Sequence, residues 1–109
     1  MSDADKIFFA LSDPTRREVL REISSGGEVT PTDVAAKLPV SRQAVSKHLE
    51  VLLNAGLVAQ SKRGRETIYT PTPGSMDQAI EWIADVGGAW DERLKRLRKM
   101  FDPHRSDPH

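Results

Sequence analysis

Apolar side chains recur every three or four residues along most of this chain, which is the period of an amphipathic helix. The first short helix is predicted around Ile7 and Leu11. Asp13 before Pro14 is typical of a second helix start, because the carboxylate can cap free amides and proline fits the first helical position. This second helix is predicted to turn Val19, Leu20 and Ile23 inward, with Arg16, Arg17, Arg21 and Glu22 around them.

Two more helices are predicted, separated by a short turn. Thr30 and Asp33 stand at capping-box spacing, which marks the start of the third helix. Pro39 disfavours helical geometry at the residue before it, and Ser41 is a suitable cap for a fourth helix over residues 42–54. That helix is predicted to face the core with Val45, Leu49, Leu52 and Leu53, and solvent with Arg42, Gln43, Ser46 and Lys47.

Residues 57–62 and 66–70 are predicted as two strands around the tip Arg63-Gly64-Arg65, where glycine permits a tight turn. Ser75 then opens a last helix with the apolar stripe Met76, Ile80, Ile83, Val86, Trp90, Leu94, Leu97 and Phe101. Gly87-Gly88 interrupts the stripe, so a kink or break is an alternative to one continuous helix. The predicted fold is mainly α with a small β-hairpin, in the order α-α-α-α-β-β-α.

Length and composition restrict the classes of protein to consider. A chain of 109 residues has material for one core, so we predict a single domain over residues 1–101 and a disordered tail over 102–109. The absence of cysteine excludes disulfides and thiolate metal sites. The start lacks the apolar run of a secretory signal, and no apolar stretch reaches the ~20 residues that span a bilayer. A cytoplasmic location without a membrane partner is expected.

The net charge is zero, but the basic residues are unevenly distributed. Residues 37–65 contain six basic residues and one acidic residue, namely Lys37, Arg42, Lys47, Lys62, Arg63 and Arg65 against Glu50. The excess of five positive charges there leaves the rest of the chain at minus five. A basic region of this kind favours a nucleic-acid partner, and a chance cluster on a solvated face is the alternative.

A short helix, a turn, a helix with polar outer residues and a basic hairpin follow the order of a winged helix-turn-helix. An α-helix fits the major groove of DNA, where arginine pairs with guanine and glutamine with adenine. Basic residues on a hairpin suit phosphates. For His48, a partly buried polar contact within the protein is the alternative to DNA contact. The predicted DNA-binding residues are Ser41, Arg42, Gln43, Ser46, Lys47, His48, Lys62, Arg63 and Arg65.

Three motifs carry a resemblance over residues 3–101. They are Leu11-Ser12-Asp13-Pro14-Thr15-Arg16-Arg17, Val40-Ser41-Arg42-Gln43-Ala44-Val45-Ser46-Lys47-His48-Leu49 and Leu53-Asn54-Ala55-Gly56-Leu57-Val58. In this order the chain resembles the ArsR/SmtB family of bacterial and archaeal repressors. The resemblance implies a homodimeric repressor that binds an inverted-repeat operator in double-stranded DNA and leaves it when a signal arrives.

The resemblance also implies that the first and last helices form the dimer interface. The expected interface residues are Ile7, Phe8, Leu11, Trp82, Ile83, Val86, Trp90, Leu94 and Leu97. For Trp82 and Trp90, the alternative is that they line a pocket for a small molecule. Such an inducer would be a further partner, and the sequence does not identify it.

Metal-sensing relatives carry a box of the type Glu-Leu-Cys-Val-Cys-Asp-Leu. The matching segment here is Glu28-Val29-Thr30-Pro31-Thr32-Asp33-Val34, in which threonines replace both thiolate ligands. Other relatives bind zinc through the last helix, yet residues 75–101 contain no histidine. His104 and His109 fall in the predicted disordered tail and lack ligand spacing on a rigid element. We therefore predict no metal site and no cofactor.

The sequence leaves two other classes of function as alternatives to DNA binding. An enzyme is disfavoured, because no nucleophile-elbow glycines, phosphate loop or paired ligands surround the serine, histidine and aspartate residues, so no catalytic residue is assigned. A winged helix that serves only as a protein-interaction module is the main alternative. Its docking face would show exposed apolar residues rather than Arg42, Gln43 and Lys47.

Overall fold

The computed structural model describes the backbone of residues 3–101 and the side chains of that range except at positions 3, 94, 97, 98, 100 and 101. The elements follow the order α1 (Asp3–Ala10), α2 (Pro14–Gly26), α3 (Pro31–Lys37), α4 (Arg42–Asn54), β1 (Val58–Arg63), β2 (Glu66–Pro71) and α5 (Asp77–Phe101). This order confirms the predicted fold. The described residues fall into two compact units, one up to Gln78 and one from Ala79 onward.

The predicted caps of α2, α3 and α4 are formed, whereas α5 begins at Asp77 and not directly after Ser75 as the sequence indicated. The Asp13 carboxylate accepts hydrogen bonds from the backbone amides of Thr15 at 2.8 Å and Arg16 at 3.1 Å. The bond from the Arg16 amide is the main reason why the pKa of Asp13 lies below its usual value. Ser41 Oγ accepts from the Ala44 amide at 3.1 Å and so starts α4.

The core of the first unit consists of aliphatic side chains from α2, α3, α4 and the start of the hairpin. Its largest fully buried members are Val19, Ile23, Val34, Val45, Leu49, Leu52 and Leu57. The inward faces predicted for α2 and α4 are therefore confirmed, although Leu53 is only half-buried. One prediction was wrong: Arg16, expected among the outer residues of α2, is 8% exposed.

The hairpin pairs β1 with β2 in an antiparallel register from Val58 opposite Pro71 to Arg63 opposite Glu66. Gly64 has a φ of 64° in the two-residue loop, which requires glycine as a type II′ turn does. Val29, in the connection between α2 and α3, forms a bridge to Tyr69 of β2. The pattern of apolar and polar residues did not indicate this third segment beside the hairpin.

In the second unit, α5 continues through Gly87-Gly88 as one helix, so the alternative of a break is not observed. Its apolar residues are exposed within the single chain: Ile80 57%, Trp82 54%, Ile83 54%, Val86 37% and Trp90 59%. The predicted tail 102–109, with His104 and His109, lies outside the described residues. Within residues 3–101, no helix has the length and hydropathy that a bilayer crossing requires.

Candidate nucleic-acid interface

The turn between α3 and α4 has the extended geometry that its proline dictates. α3 ends at Lys37, and Leu38 follows with φ −120° and ψ 147°, as expected before Pro39. Ser41 is also extended and caps α4. α4 packs against α1, α2, α3 and β1. These neighbours hold α4 on one side and leave its other side to solvent.

The solvent side of α4 carries the polar residues predicted to contact DNA. Arg42, Gln43, Ser46 and Lys47 are all exposed and together line one shallow depression. The Ser41 side chain is exposed too, with its oxygen already used as the cap. The first two turns of α4 thus present two cations, an amide and a hydroxyl to solvent, which are the groups that pair with base edges and phosphates.

His48 lies at the border of this surface and is half-buried. Its Nδ1 is 3.3 Å from Nη1 of Arg16 on α2. The contact matches the alternative of a partly buried polar interaction, because a guanidinium has only N–H donors to offer to the imidazole nitrogen. His48 is therefore joined to the interior of the first unit as well as standing beside the exposed face of α4.

Arg16 is the residue that sequence reasoning missed behind the interface. Its Nε donates to the Ala10 carbonyl at 2.7 Å and its Nη2 to the Phe9 carbonyl at 3.3 Å. The guanidinium also lies over the Phe9 ring, 5.5 Å from the centroid. Arg16 therefore ties the end of α1 to α2 and, through His48, to α4. Its position three residues before buried Val19 was the signal that it shares the inward face.

The β1–β2 hairpin is the wing of this fold, and the basic residues predicted to contact DNA lie exposed at its tip. Lys62 Nζ donates to Thr67 Oγ1 at 3.0 Å. Arg63 Nη2 lies 3.0 Å from Glu28 Oε2, and the side chains are 64% and 58% exposed. Arg65 occupies the turn and is exposed. The acidic partner Glu28 is a second residue that the sequence analysis did not connect with the wing.

The segment that matches the metal-ligand box of metal-sensing relatives serves as a helix cap here. Thr30 Oγ1 accepts from the Asp33 amide at 3.1 Å, and Asp33 Oδ2 accepts from the Thr30 amide at 3.0 Å. The bond from the Thr30 amide is the main cause of the lowered pKa of Asp33. In the described part of the chain, no group of three or more aspartate, glutamate and histidine side chains could hold a metal ion.

The residues expected at a dimer interface differ in exposure. Ile7 is 2% exposed and Phe8 and Leu11 are half-buried, so Ile7 is already covered within one chain. Phe9, 55% exposed, is the large apolar residue that α1 presents to solvent. In α5, Trp82, Ile83, Val86 and Trp90 are exposed, whereas the side chains of Leu94 and Leu97 lie outside the described residues.

The two tryptophans of α5 stand at different angular positions around the helix axis. Trp90 borders a shallow depression together with Asp85, Val86, Ala89 and Arg93, and Trp82 is not among the residues that line it. Eight residues separate the tryptophans, so helical geometry turns them about 80° apart around the axis. The described side chains thus favour two separate aromatic positions on α5.

A helix-turn-helix with an exposed polar face on its second helix, followed by a basic β-hairpin, defines a winged helix-turn-helix DNA-binding protein. Comparison with known proteins agrees with this class. A helix-turn-helix domain model matches residues 11–61. The chain is 30% identical over 90 residues to the transcriptional repressor SdpR of Bacillus subtilis, covering 83% of this chain and 99% of that protein. It is 32% identical over 103 residues to the regulator Rv2034 of Mycobacterium tuberculosis, covering 94% and 92%.

Solved structures show the same relationship. An ArsR-like transcriptional regulator from Rhodococcus sp. RHA1 superimposes with a TM-score of 0.71 at 36% identity, covering 90% of this chain and 92% of that one. The chain belongs to the ArsR/SmtB family of winged helix-turn-helix proteins. It is a DNA-binding transcriptional regulator, and the relatives named here are regulators rather than enzymes.

Proposed function

We propose that this protein is a transcriptional repressor that binds an inverted-repeat operator as a homodimer and does so independently of metal ions. The observation that carries the proposal is the division of α4 into a buried aliphatic side and an exposed side with Arg42, Gln43 and Lys47. SdpR, a relative along nearly its whole length, is named a repressor. The same surface does not favour a protein-docking role, because its exposed residues are polar.

The roles on this surface follow from position and chemistry. Arg42 and Gln43 occupy the first turn of α4, from which a helix in the major groove commonly reads base edges. Ser46 and Lys47, one turn later, reach bases or phosphates. Lys62, Arg63 and Arg65 on the hairpin contact phosphates, or the minor groove in the case of arginine. His48 supports α4 through Arg16 and borders the contact surface.

Replacing Arg42 or Gln43 with alanine is expected to relax sequence preference more than it lowers overall affinity. A good bidentate base contact discriminates against the wrong base by about 1–3 kcal/mol, which is about a 5- to 150-fold preference. The measurement is the affinity for operator and scrambled duplexes. Equal losses on both duplexes would show that these residues contact only the backbone.

Arg65→Ala is expected to weaken binding to operator and scrambled duplexes alike. Each neutralised phosphate contributes about 0.9 to the slope of log affinity against log salt, so loss of two wing contacts in a dimer lowers the slope by about two. The measurement is a salt series on both duplexes. An unchanged slope for Arg65→Ala, with a reduced slope for Arg42→Ala, would reverse the assigned roles.

Homodimer formation is supported by the apolar surfaces of both units. Ile83 and Trp90 of α5 are each more than half exposed within one chain, and so is Phe9 of α1. Isolated apolar residues on a surface are common, but a stripe of them along one helix is typical of an interface. A dimer also matches the two-fold symmetry of an inverted-repeat operator.

Stoichiometric zinc, cadmium or arsenite is expected to leave operator affinity unchanged. The chain contains no cysteine, and Thr30 Oγ1, at one of the two thiolate positions, already accepts a helix-capping hydrogen bond from the Asp33 amide. The measurement is operator binding with one equivalent of each ion, with and without a chelator. A chelator-reversible tenfold loss would contradict metal independence.

A further inference from the structure

We propose that Glu28 is an internal competitor of DNA: its carboxylate binds Arg63 of the hairpin in the free protein and must be displaced before Arg63 contacts a phosphate. The inference rests on the proposed role of the hairpin in DNA binding. Its physical basis is the ion pair of 3.0 Å between Arg63 Nη2 and Glu28 Oε2. Glu28 precedes α3, 35 residues away from Arg63 along the chain.

The backbone next to Glu28 is anchored to the hairpin. The Val29 amide donates to the Tyr69 carbonyl at 3.0 Å, and the Tyr69 amide donates to the Val29 carbonyl at 2.8 Å. Val29 itself is buried, 8% exposed. This bridge fixes the main chain beside β2 and so keeps the Glu28 carboxylate within reach of the wing.

Arg63 pairs with Glu28 in preference to the acid nearest to it in the hairpin. Arg63 is the last residue of β1, and Glu66 stands opposite it in the register. The ion pair nevertheless runs to Glu28, outside the hairpin. The guanidinium is thereby drawn from its own strand pair toward the α2–α3 connection.

A carboxylate and a phosphate bind the same donors of a guanidinium, so Glu28 and DNA compete for Arg63. An arginine that contacts phosphate either leaves Glu28 or brings a negative charge close to the DNA backbone. Both routes reduce affinity. Because the ion pair is exposed to solvent, it is weak, and it breaks readily when a phosphate arrives.

The test is a double-mutant cycle of Glu28→Gln and Arg63→Ala in the full-length chain, with a random-sequence duplex as the probe. Glu28→Gln is expected to bind roughly two- to fivefold more tightly per wing than the unmodified protein at low salt. The gain is expected to disappear in the Arg63→Ala background, since the competitor then has nothing to hold.

Glu50→Gln is the matched control, because it removes one exposed carboxylate from α4 itself. Its effect on affinity is expected to be the same with and without Arg63. A Glu28→Gln gain that persists in the Arg63→Ala background would mean general charge repulsion and would overturn the proposal. Weaker binding by Glu28→Gln would overturn it as well, because Glu28 would then hold Arg63 in a binding-ready position.

The failure of this inference is separable from failure of the proposed function. If the unmodified protein does not bind the duplex in a salt-dependent manner, the DNA-binding role of the wing is wrong. If it binds and the cycle shows no coupling between Glu28 and Arg63, only the competition is wrong. Circular dichroism of each variant verifies that folding is intact, as expected for two exposed side chains.

Discussion

Arg16→Ala is expected to lower the free energy of unfolding by about 2–4 kcal/mol, the cost of breaking a buried hydrogen-bond network. The substitution removes the donor for the Ala10 carbonyl, in a residue that is 0% exposed, and the donor for the Phe9 carbonyl. It also removes the guanidinium that lies over the Phe9 ring and beside His48 Nδ1. Thermal unfolding is expected roughly 10–20 °C lower.

The neighbouring Arg17→Ala is the matched control for this prediction. Arg17 is exposed on the same helix, carries the same charge and donates to the Leu11 carbonyl at 2.7 Å in solvent. Its loss is expected to cost less than about 1 kcal/mol. Urea unfolding of both variants distinguishes the sites, and equal destabilisation by Arg16→Ala and Arg17→Ala would show that the buried contacts of Arg16 contribute little.

Ile83→Lys is expected to convert the proposed dimer into a monomer. Burying one large aliphatic side chain stabilises an interface by about 1.5–3 kcal/mol. In a two-fold symmetric dimer both subunits carry the substitution, so the loss occurs twice. The loss of about 3–6 kcal/mol raises the dimer dissociation constant roughly 10²- to 10⁴-fold. Light scattering at micromolar concentration is expected to report twice 12.1 kDa for the unmodified chain and 12.1 kDa for the variant.

Glu81→Lys provides the comparison on the same helix. Position 81 is two residues before Ile83, which corresponds to a rotation of about 200° around the helix axis. The introduced lysine therefore faces away from the apolar stripe. This variant is expected to remain dimeric. Operator affinity is expected to fall only for Ile83→Lys, since a monomer contacts one half-site. A monomeric unmodified protein, or a dimeric Ile83→Lys, would contradict the interface.

The sequence by itself determined the features that depend on neighbours within a few residues. Asp13 and Ser41 cap helices because their oxygens reach amides two or three positions ahead. Gly64 marks the hairpin turn because glycine alone readily adopts its positive φ. The exposed face of α4 was predictable for the same reason, since apolar spacing places Val45 and Leu49 opposite the polar residues.

The apolar pattern did not predict which side chains of α1 are buried and which are exposed. Ile7, Phe8 and Phe9 form an unbroken apolar run, so periodicity alone does not decide which side chain faces the core. Packing selects Ile7 for burial and leaves Phe9 exposed beneath the Arg16 guanidinium. The DNA-contact and interface roles of individual residues stay predictions, since they depend on partners.

Only the tertiary structure decided the contacts between residues distant along the chain. Arg16 meets His48 across 32 positions, and Glu28 meets Arg63 across 35. Helical spacing places Arg16 on the inward face, but only packing brings the α1 carbonyls and an imidazole close enough to satisfy a buried guanidinium. Likewise, the residues around Glu28 indicate only an acidic side chain in a loop. It pairs with Arg63 because the Val29–Tyr69 bridge holds the α2–α3 connection beside β2. Local residue preferences do not predict a contact between segments so far apart along the chain.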